Sequence, residues 1–138
     1  MMSTIVDSVV LIDIFVDDPV WANWSNKLLL VASKDGPLVI NPIIYAEVAA
    51  TFEEEHELEA ALPKNRFNRE DIPYPAAFLA GKAHYEYRRR GGVRDRTLPD
   101  FFIGAHAQLK NYRILTRDPR RYRVHFPALE IVAPDTHP

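Results

Sequence analysis

The sequence predicts an α/β domain with a mainly parallel central sheet that helices cover on both sides. Short apolar segments of strand length alternate with longer segments that have a helical pattern. Asp18-Pro19 and Asn41-Pro42 each combine a capping residue with proline at the first helical position, so each marks the start of a helix. The chain has 138 residues, of which 47% are hydrophobic, and this is enough for one domain spanning residues 1–138.

The first half of the chain contains two predicted strands and three predicted helices. The segment from Val9 to Phe15 either continues the first strand or begins a helix, and it is helical only if Asp7 ends the strand. Gly36-Pro37 closes the helix that Asp18-Pro19 begins. The predicted elements are a strand over 3–7, a helix over 19–34, a strand over 38–40, a helix from Pro42 through Ala50 and a helix from Glu53 to Leu62.

The second half of the chain contains two further helices and two further strands. Residues 63–75 include three prolines and are interpreted as a loop that carries one short edge strand. Gly91-Gly92 ends the helix that follows this loop. The predicted elements are a helix over 76–90, a helix over 99–111, a strand over 112–115 and a strand over 129–132.

The composition excludes several classes of function. Lysine and arginine number 17 against 19 acidic residues, so the net charge is −2 and any nucleic-acid site must be a local patch. Cysteine is absent, which excludes a disulfide framework and cysteine-ligated metal centres and is consistent with a reducing cytosol. No apolar run approaches the ~20 residues of a membrane helix, and Met1-Met2-Ser3-Thr4 lacks the charged start of a secretory signal. We therefore expect a cytoplasmic protein without membrane association.

Four carboxylates occupy positions where a parallel sheet is expected to bind ligands. Ligands of such sheets bind beyond the carboxyl ends of the strands. Several carboxylates at one edge repel one another unless a cation compensates them, and sites made only of oxygen favour Mg²⁺ or Mn²⁺. The four residues are Asp7 after the first strand, Glu47 in the helix after the second, Asp100 in the first turn after Pro99, and Asp118 after the strand that ends at Leu115.

Each candidate residue also has a structural interpretation. Asp100 could serve only to complement a helix dipole, and Asp118 could serve only as a helix cap. Glu47 is harder to explain in this way, because it lies among apolar residues and an acid there needs a partner. Thr116 either hydrogen-bonds an acid or the substrate, or it caps the next turn. His106 lies on the apolar side of its helix and is expected to be a core histidine rather than a ligand.

Four segments of the chain resemble the motifs of PIN domains, and they occur in the order of that family. Many PIN domains carry a polar residue at the position of Val9. We expect Ser8 to make part of the hydrogen bonds that this polar residue would make. The first two segments resemble the opening strand and the second acidic motif of PIN domains. They are Val6-Asp7-Ser8-Val9-Val10-Leu11-Ile12-Asp13 and Asn41-Pro42-Ile43-Ile44-Tyr45-Ala46-Glu47. The last two segments are similar to those of VapC-type toxins, namely Leu98-Pro99-Asp100-Phe101-Phe102-Ile103-Gly104-Ala105-His106-Ala107 and Leu115-Thr116-Arg117-Asp118-Pro119-Arg120-Arg121-Tyr122.

The resemblance implies a three-layer α/β/α fold and a metal-dependent endoribonuclease that hydrolyses RNA phosphodiester bonds. It also implies Mg²⁺, which Mn²⁺ can replace, a cognate antitoxin that inhibits the protein, and a homodimer. Ser8 and Thr116 are expected to support the acids or to contact the substrate. Asp7, Glu47 and Asp100 would be the main metal ligands, and Asp118 would bind the ion directly, bind it through water, or orient the attacking water.

A group of arginines is the candidate contact to RNA phosphates. One part of the group precedes the third acid and the other surrounds the fourth. The alternative is a solvated helix end followed by a loop, because cations also favour the carboxyl ends of helices. The candidates are Arg94, Arg96 and Arg117, with Arg120 and Arg121 as further members of the patch.

Three other classes of protein compete with this interpretation. In phosphatases of the haloacid-dehalogenase type, an acid follows the nucleophilic aspartate by two residues, and this chain has Val9 there. A dinucleotide-binding enzyme needs a glycine-rich turn after the first strand, which Ser8-Val9-Val10 does not provide. The remaining alternative is a catalytically degenerate PIN domain that acts as an RNA- or protein-binding module. The presence of all four motif acids argues against it, and a cleavage assay separates the two.

Overall fold

A computed structural model describes residues 2–92 and 97–138, and five strands alternate there with seven helices. This alternation confirms the predicted α/β class. None of the helices in these ranges combines the length and the apolar character that a membrane crossing needs. The elements are β1 (Thr4–Val6), α1 (Ser8–Phe15), α2 (Ala22–Asp35), β2 (Leu38–Ile40), α3 (Pro42–Ala49), α4 (Glu55–Ala61), β3 (Phe67–Arg69), α5 (Tyr74–Arg89), α6 (Leu98–Lys110), β4 (Arg113–Leu115), α7 (Arg120–Arg123) and β5 (Ile131–Val132).

The five strands form one sheet in the order β3-β2-β1-β4-β5, and every neighbouring pair is parallel. The central strand is β1, where Thr4 is in register with Leu38 of β2 on one side and with Arg113 of β4 on the other. The short edge strand predicted within residues 63–75 is confirmed as β3. Because all five strands run in the same direction, their carboxyl ends meet at one edge of the sheet.

Burial explains why the strands are apolar. All residues of β1 and β2 are buried, since helices cover both faces of the sheet in the three-layer α/β/α arrangement. The largest fully buried side chains include Ile5 of β1, Ile40 of β2 and Ile114 of β4. Burial of each aliphatic side chain of this size contributes roughly 1.5–3 kcal/mol to folding. The core is therefore centred on β1, β2 and β4, the three strands that precede Asp7, Glu47 and Asp118 in the chain.

The structure settles the ambiguous segment after the first strand and corrects the start of one helix. β1 ends at Val6 and Asp7 takes the N-cap position of α1, so the segment that follows is helical. The helix predicted from residue 19 begins at Ala22 instead. The Asp18 carboxylate accepts hydrogen bonds from the backbone N–H groups of Val20 and Trp21, at 3.0 and 2.8 Å. Asp18 therefore caps a turn that precedes the helix.

Several other elements differ from the sequence prediction. Helix α5 begins at Tyr74 rather than at residue 76, because Pro75 occupies the first turn, where a missing N–H breaks no helical hydrogen bond. Strand β5 contains only Ile131 and Val132, the two residues that pair with β4. The sequence pattern does not predict α7, since a helix of four residues is too short to show a hydrophobic period.

A buried polar network joins α3, α6 and the end of β3. The Asn41 Oδ1 atom accepts a hydrogen bond from the Ile44 backbone N–H and so caps α3, while its Nδ2 atom lies 3.0 Å from His106 Nδ1. Because the amide nitrogen is a donor, His106 Nδ1 must accept, and the ring proton lies on Nε2, which donates to Glu70 at 3.1 Å. The Tyr112 hydroxyl donates to the same carboxylate at 2.6 Å. His106 is fully buried, which confirms the predicted core histidine.

We expect Gly104→Ala to destabilise the protein. A Cβ atom at this position in α6 would collide with the ring of Phe126, which is itself buried. The expected loss in the free energy of unfolding is about 1–3 kcal/mol, measured by chemical denaturation. Gly81→Ala is the matched control, because Gly81 is also helical and a Cβ atom there meets nothing within 4 Å. The control should gain roughly 0.5–1 kcal/mol, and equal effects of both changes would contradict the packing.

His106 should make stability depend on pH. Burial lowers the pKa of His106 below the usual 6.5, although Glu70 opposes this shift. The unfolded chain therefore binds more protons than the folded protein as the pH falls below about 6.5, so the free energy of unfolding decreases there. His106→Gln should remove this component. Denaturation of both proteins between pH 8 and pH 5 measures it, and parallel curves would show that His106 does not contribute.

Candidate active site

The candidate active site lies at the carboxyl ends of β1, β2 and β4. Asp7 follows β1 directly, Glu47 lies on α3 after β2, and Thr116 and Asp118 follow β4. Asp100 comes from the first turn of α6. The parallel sheet places the three strand ends at one edge, as the sequence analysis expected. The acids interact with one another, because the charges of Asp7 and Asp100 both act on Glu47.

Asp7 is the most deeply placed acid of this cluster. Its side chain is fully buried, and the Thr116 hydroxyl donates to Oδ2 at 2.8 Å. Burial raises the pKa of Asp7, while the hydrogen bond from Thr116 and the charge of Arg121 oppose that rise. The buried Tyr122 hydroxyl lies beside the same carboxylate, and in residues 2–92 and 97–138 it has no partner with regular hydrogen-bond geometry. A positive charge beside this carboxylate would offset the cost of its burial.

Ser8 connects Asp7 to Glu47. Its hydroxyl donates to Glu47 Oε1 at 2.8 Å and lies 3.5 Å from Asp7 Oδ1. Burial raises the pKa of the half-buried Glu47, the hydrogen bond from Ser8 lowers it, and the charges of Asp7 and Asp100 raise it further. The side chain of Glu47 therefore has the partner that an acid in an apolar segment requires.

Asp100 and Asp118 have partners on several elements. Asp100 Oδ2 accepts a hydrogen bond from the Thr97 backbone N–H at 3.3 Å, so Asp100 takes part in a capping box at the start of α6, where the sequence suggested only a helix-dipole role. Asp118 is not the N-cap of α7, a position that Pro119 occupies. Its own backbone N–H donates to the Thr116 hydroxyl at 3.0 Å. The Thr116 hydroxyl therefore connects the backbone of Asp118 to the carboxylate of Asp7.

Arg121 is inserted between two of the acids. Its Nη1 atom is 3.2 Å from Asp100 Oδ1, and its Nε atom is 3.2 Å from Asp118 Oδ2. Burial alone would lower the pKa of Arg121, but the charges of Asp100, Asp7 and Asp118 raise it. From the sequence, Arg121 was expected in a general RNA-binding patch, and its contact with the acids was not predicted. Tyr122 was also missed, because no sequence pattern identifies a buried hydroxyl beside a carboxylate.

The donor atoms of this cluster fit a hard divalent ion. Carboxylate and hydroxyl oxygens are the ligand type that Mg²⁺ and Mn²⁺ prefer, and no sulfur donor competes because cysteine is absent. The present arrangement is not a complete coordination shell, since the described residues contain no group of three or more acidic or histidine side chains placed to hold one ion. The guanidinium of Arg121 occupies the space between Asp100 and Asp118.

The predicted RNA-binding arginines have different positions. Arg117 Nε donates to the buried carboxylate of Asp13 at 2.7 Å, and its guanidinium lies 5.7 Å from the ring centre of Trp21. The structure thus directs Arg117 to Asp13 rather than to the acid cluster. Arg94 and Arg96 lie outside the described residues.

The chain matches the family model of the PIN domain over residues 4–127. It also resembles a chain of the VapBC2 structure from Rickettsia felis, which is bound to promoter DNA, with 17% identity and a TM-score of 0.73 over 96% of this chain and 98% of the other. VapBC-1 from nontypeable Haemophilus influenzae gives 18% identity and a TM-score of 0.72 over the same shares. A toxin–antitoxin complex from Klebsiella pneumoniae gives 24% and 0.66, over 94% and 95%. No curated protein matches the chain in sequence.

Proposed function

We propose that this chain, which belongs to the PIN-domain family, is a metal-dependent endoribonuclease and the toxin of a toxin–antitoxin pair. One observation carries the proposal. Asp7 follows β1, Glu47 lies on α3 and Asp100 lies on α6, yet their charges act on one another at one edge of the sheet. Such an arrangement of acids is unfavourable for folding alone and becomes favourable when a cation binds.

The proposed chemistry assigns distinct tasks to these side chains. Asp7, Glu47 and Asp100 would hold Mg²⁺ or Mn²⁺, and Asp118 would bind it directly, bind it through water, or orient the attacking water. The bound ion supplies activation of water and neutralisation of the charge that develops on the phosphate. Ser8 and Thr116 would act through the acids, since each donates one short hydrogen bond to a carboxylate and so fixes its orientation.

The proposed substrate is RNA, and it requires a local cationic surface because the whole chain carries a net charge of −2. Arg120 lies beside the site, 3.8 Å from Asp118, with 83% of its side chain exposed. Arg94 and Arg96 remain further candidates in the proposal. Arg117 has a weaker case, because it is held by Asp13.

An antitoxin is the proposed protein partner, and a cytoplasmic homodimer is the proposed form of the toxin. The Klebsiella pneumoniae structure that shares this fold is a toxin–antitoxin complex, and the Rickettsia felis structure contains VapBC2 on promoter DNA. This chain covers nearly the full length of the matching chain in each of them. The analogy supports a partner of the same kind here.

The purified protein should cleave single-stranded RNA in the presence of Mg²⁺ or Mn²⁺, and excess chelator should abolish the cleavage.

Asp7→Asn should remove activity without unfolding the protein, because it removes one charge from a repelling cluster at nearly constant side-chain volume. Thr116→Val should lower the rate by about 10- to 100-fold, the usual effect of losing a hydrogen bond to a metal ligand. Gel assays of labelled RNA measure these rates.

The matched control for Asp7→Asn is Asp35→Asn, which also replaces an aspartate by its amide. Asp35 pairs with Arg113 at the opposite end of the sheet, just before β2, so its variant should retain cleavage. Cleavage by the Asp7→Asn protein at the wild-type rate would show that the acids are structural. A folded wild-type protein that binds RNA without cutting it would favour the degenerate binding module.

Expression of the chain without a partner should arrest growth, and co-expression of the cognate antitoxin should restore it. The arrest should disappear with Asp7→Asn, because the proposed toxicity depends on RNA cleavage. Growth curves and RNA integrity in the same cultures measure both effects. Normal growth of cells that contain the folded and nuclease-active protein would contradict the toxin role while leaving the nuclease role intact.

A further inference from the structure

The position of Arg121 differs from that of the other arginines of α7. Arg120 is largely exposed, and Arg123 pairs with Asp135 at the surface through two short contacts of 2.6 and 2.8 Å. Arg121 instead has 30% of its side chain exposed and contacts two acids of the candidate active site, Asp100 and Asp118, at 3.2 Å each. Three arginines within four residues thus have three different environments.

The fold holds α7 in a defined orientation. Tyr122, which directly follows Arg121, is fully buried beside Asp7, and its backbone O accepts a hydrogen bond from the Phe126 backbone N–H at 2.8 Å. Because Tyr122 fixes the helix against the core, the neighbouring side chain of Arg121 extends over the acids. The inward direction of Arg121 is therefore a property of the packing around α7.

Arg121 brings a positive charge into the acid cluster, whereas the largely exposed Arg120 lies at its margin, 3.8 Å from Asp118. Its charge acts on Asp7 and Glu47 as well as on the two acids that it contacts. One guanidinium brings a single positive charge to four carboxylates, so the repulsion among them is only partly compensated. A divalent ion brings twice that charge, but it needs oxygen atoms that Arg121 now occupies at Asp100 and Asp118.

We propose that Arg121 is a built-in counter-ion that stabilises the metal-free site and competes with the divalent cation for Asp100 and Asp118. This inference rests on the proposed metal site. Binding of the ion requires the guanidinium of Arg121 to leave the carboxylates of Asp100 and Asp118. Arg121 therefore lowers the affinity of the protein for metal. The same residue raises the stability of the metal-free protein.

Arg121→Gln tests the proposal, with Mn²⁺ alone as the probe and no RNA present. Titration calorimetry, or electron paramagnetic resonance of free Mn²⁺, should show affinity for Mn²⁺ higher on the order of tenfold in the variant, because a positive charge has been removed close to the ion. Thermal unfolding in chelator should show a lower midpoint for the variant. A residue with a merely structural role would weaken both properties, whereas the proposal predicts opposite changes.

Two further variants sharpen the result. Arg123→Gln is the matched control, since it removes the same charge from the same helix at a residue paired with Asp135, and it should leave Mn²⁺ affinity unchanged. Arg121→Lys keeps the charge but loses the two-pronged contact, so its Mn²⁺ affinity should lie between those of wild type and Arg121→Gln. Higher affinity in Arg121→Lys than in Arg121→Gln would contradict the electrostatic explanation.

Unchanged or weaker Mn²⁺ binding by Arg121→Gln, with wild-type protein that binds Mn²⁺, would overturn this inference and leave the proposed nuclease intact. If neither protein binds Mn²⁺, the inference and the proposed metal site fail together. Binding by the variant alone would support the competition strongly, because it would show that Arg121 excludes the ion from the wild-type site.

Discussion

The full burial of the Asp7 carboxylate is the constraint on which the candidate site depends. A buried carboxylate is costly unless it has hydrogen-bond donors or a cation. Here the donor comes from Thr116 at the end of β4, and the cations available are Arg121 and, in the proposed function, a divalent metal. The parallel pairing of β1 with β4 is what brings Thr116 to Asp7. The buried position of Asp7 thus requires a hydrogen-bond donor at the end of β4 and a positive charge from α7.

Two polar connections place the elements that carry the other acids. At the site, Ser8 of α1 is bonded to Glu47 of α3. Deeper in the fold, Asn41 caps α3 and contacts His106, which lies on α6 together with Asp100. Helix α3 is therefore fixed both at its first turn and at Glu47. Directional hydrogen bonds at two points define its orientation more narrowly than apolar packing does, because apolar contacts tolerate small shifts.

The sequence predicts the acids better than it predicts their surroundings. Asp7 and Glu47 can be located because a parallel sheet collects strand ends at one edge, and this follows from the pattern of apolar segments alone. Arg121 cannot be assigned in this way, since its direction depends on the burial of Tyr122 and on α7, a helix too short to leave a periodic signal. The start of α2 was misplaced for a related reason. The carboxylate of Asp18 can accept the same backbone hydrogen bonds whether a turn or a helix follows it, so only the residues after it decide between the two.

The central position of β1 also affects how the protein folds while it is being synthesised. The hydrogen bond between Thr116 and Asp7 joins residues 109 positions apart, and β1 is paired with β4 as well as β2. A chain that emerges from the ribosome amino-terminus first has made its first acid long before it has made the groups that support it. Contacts across so many residues form late in folding, because a long loop must close before they contribute. A nascent chain that ends before β4 therefore lacks Thr116, Asp118 and Arg121, and it cannot assemble the acid cluster with the groups that support it.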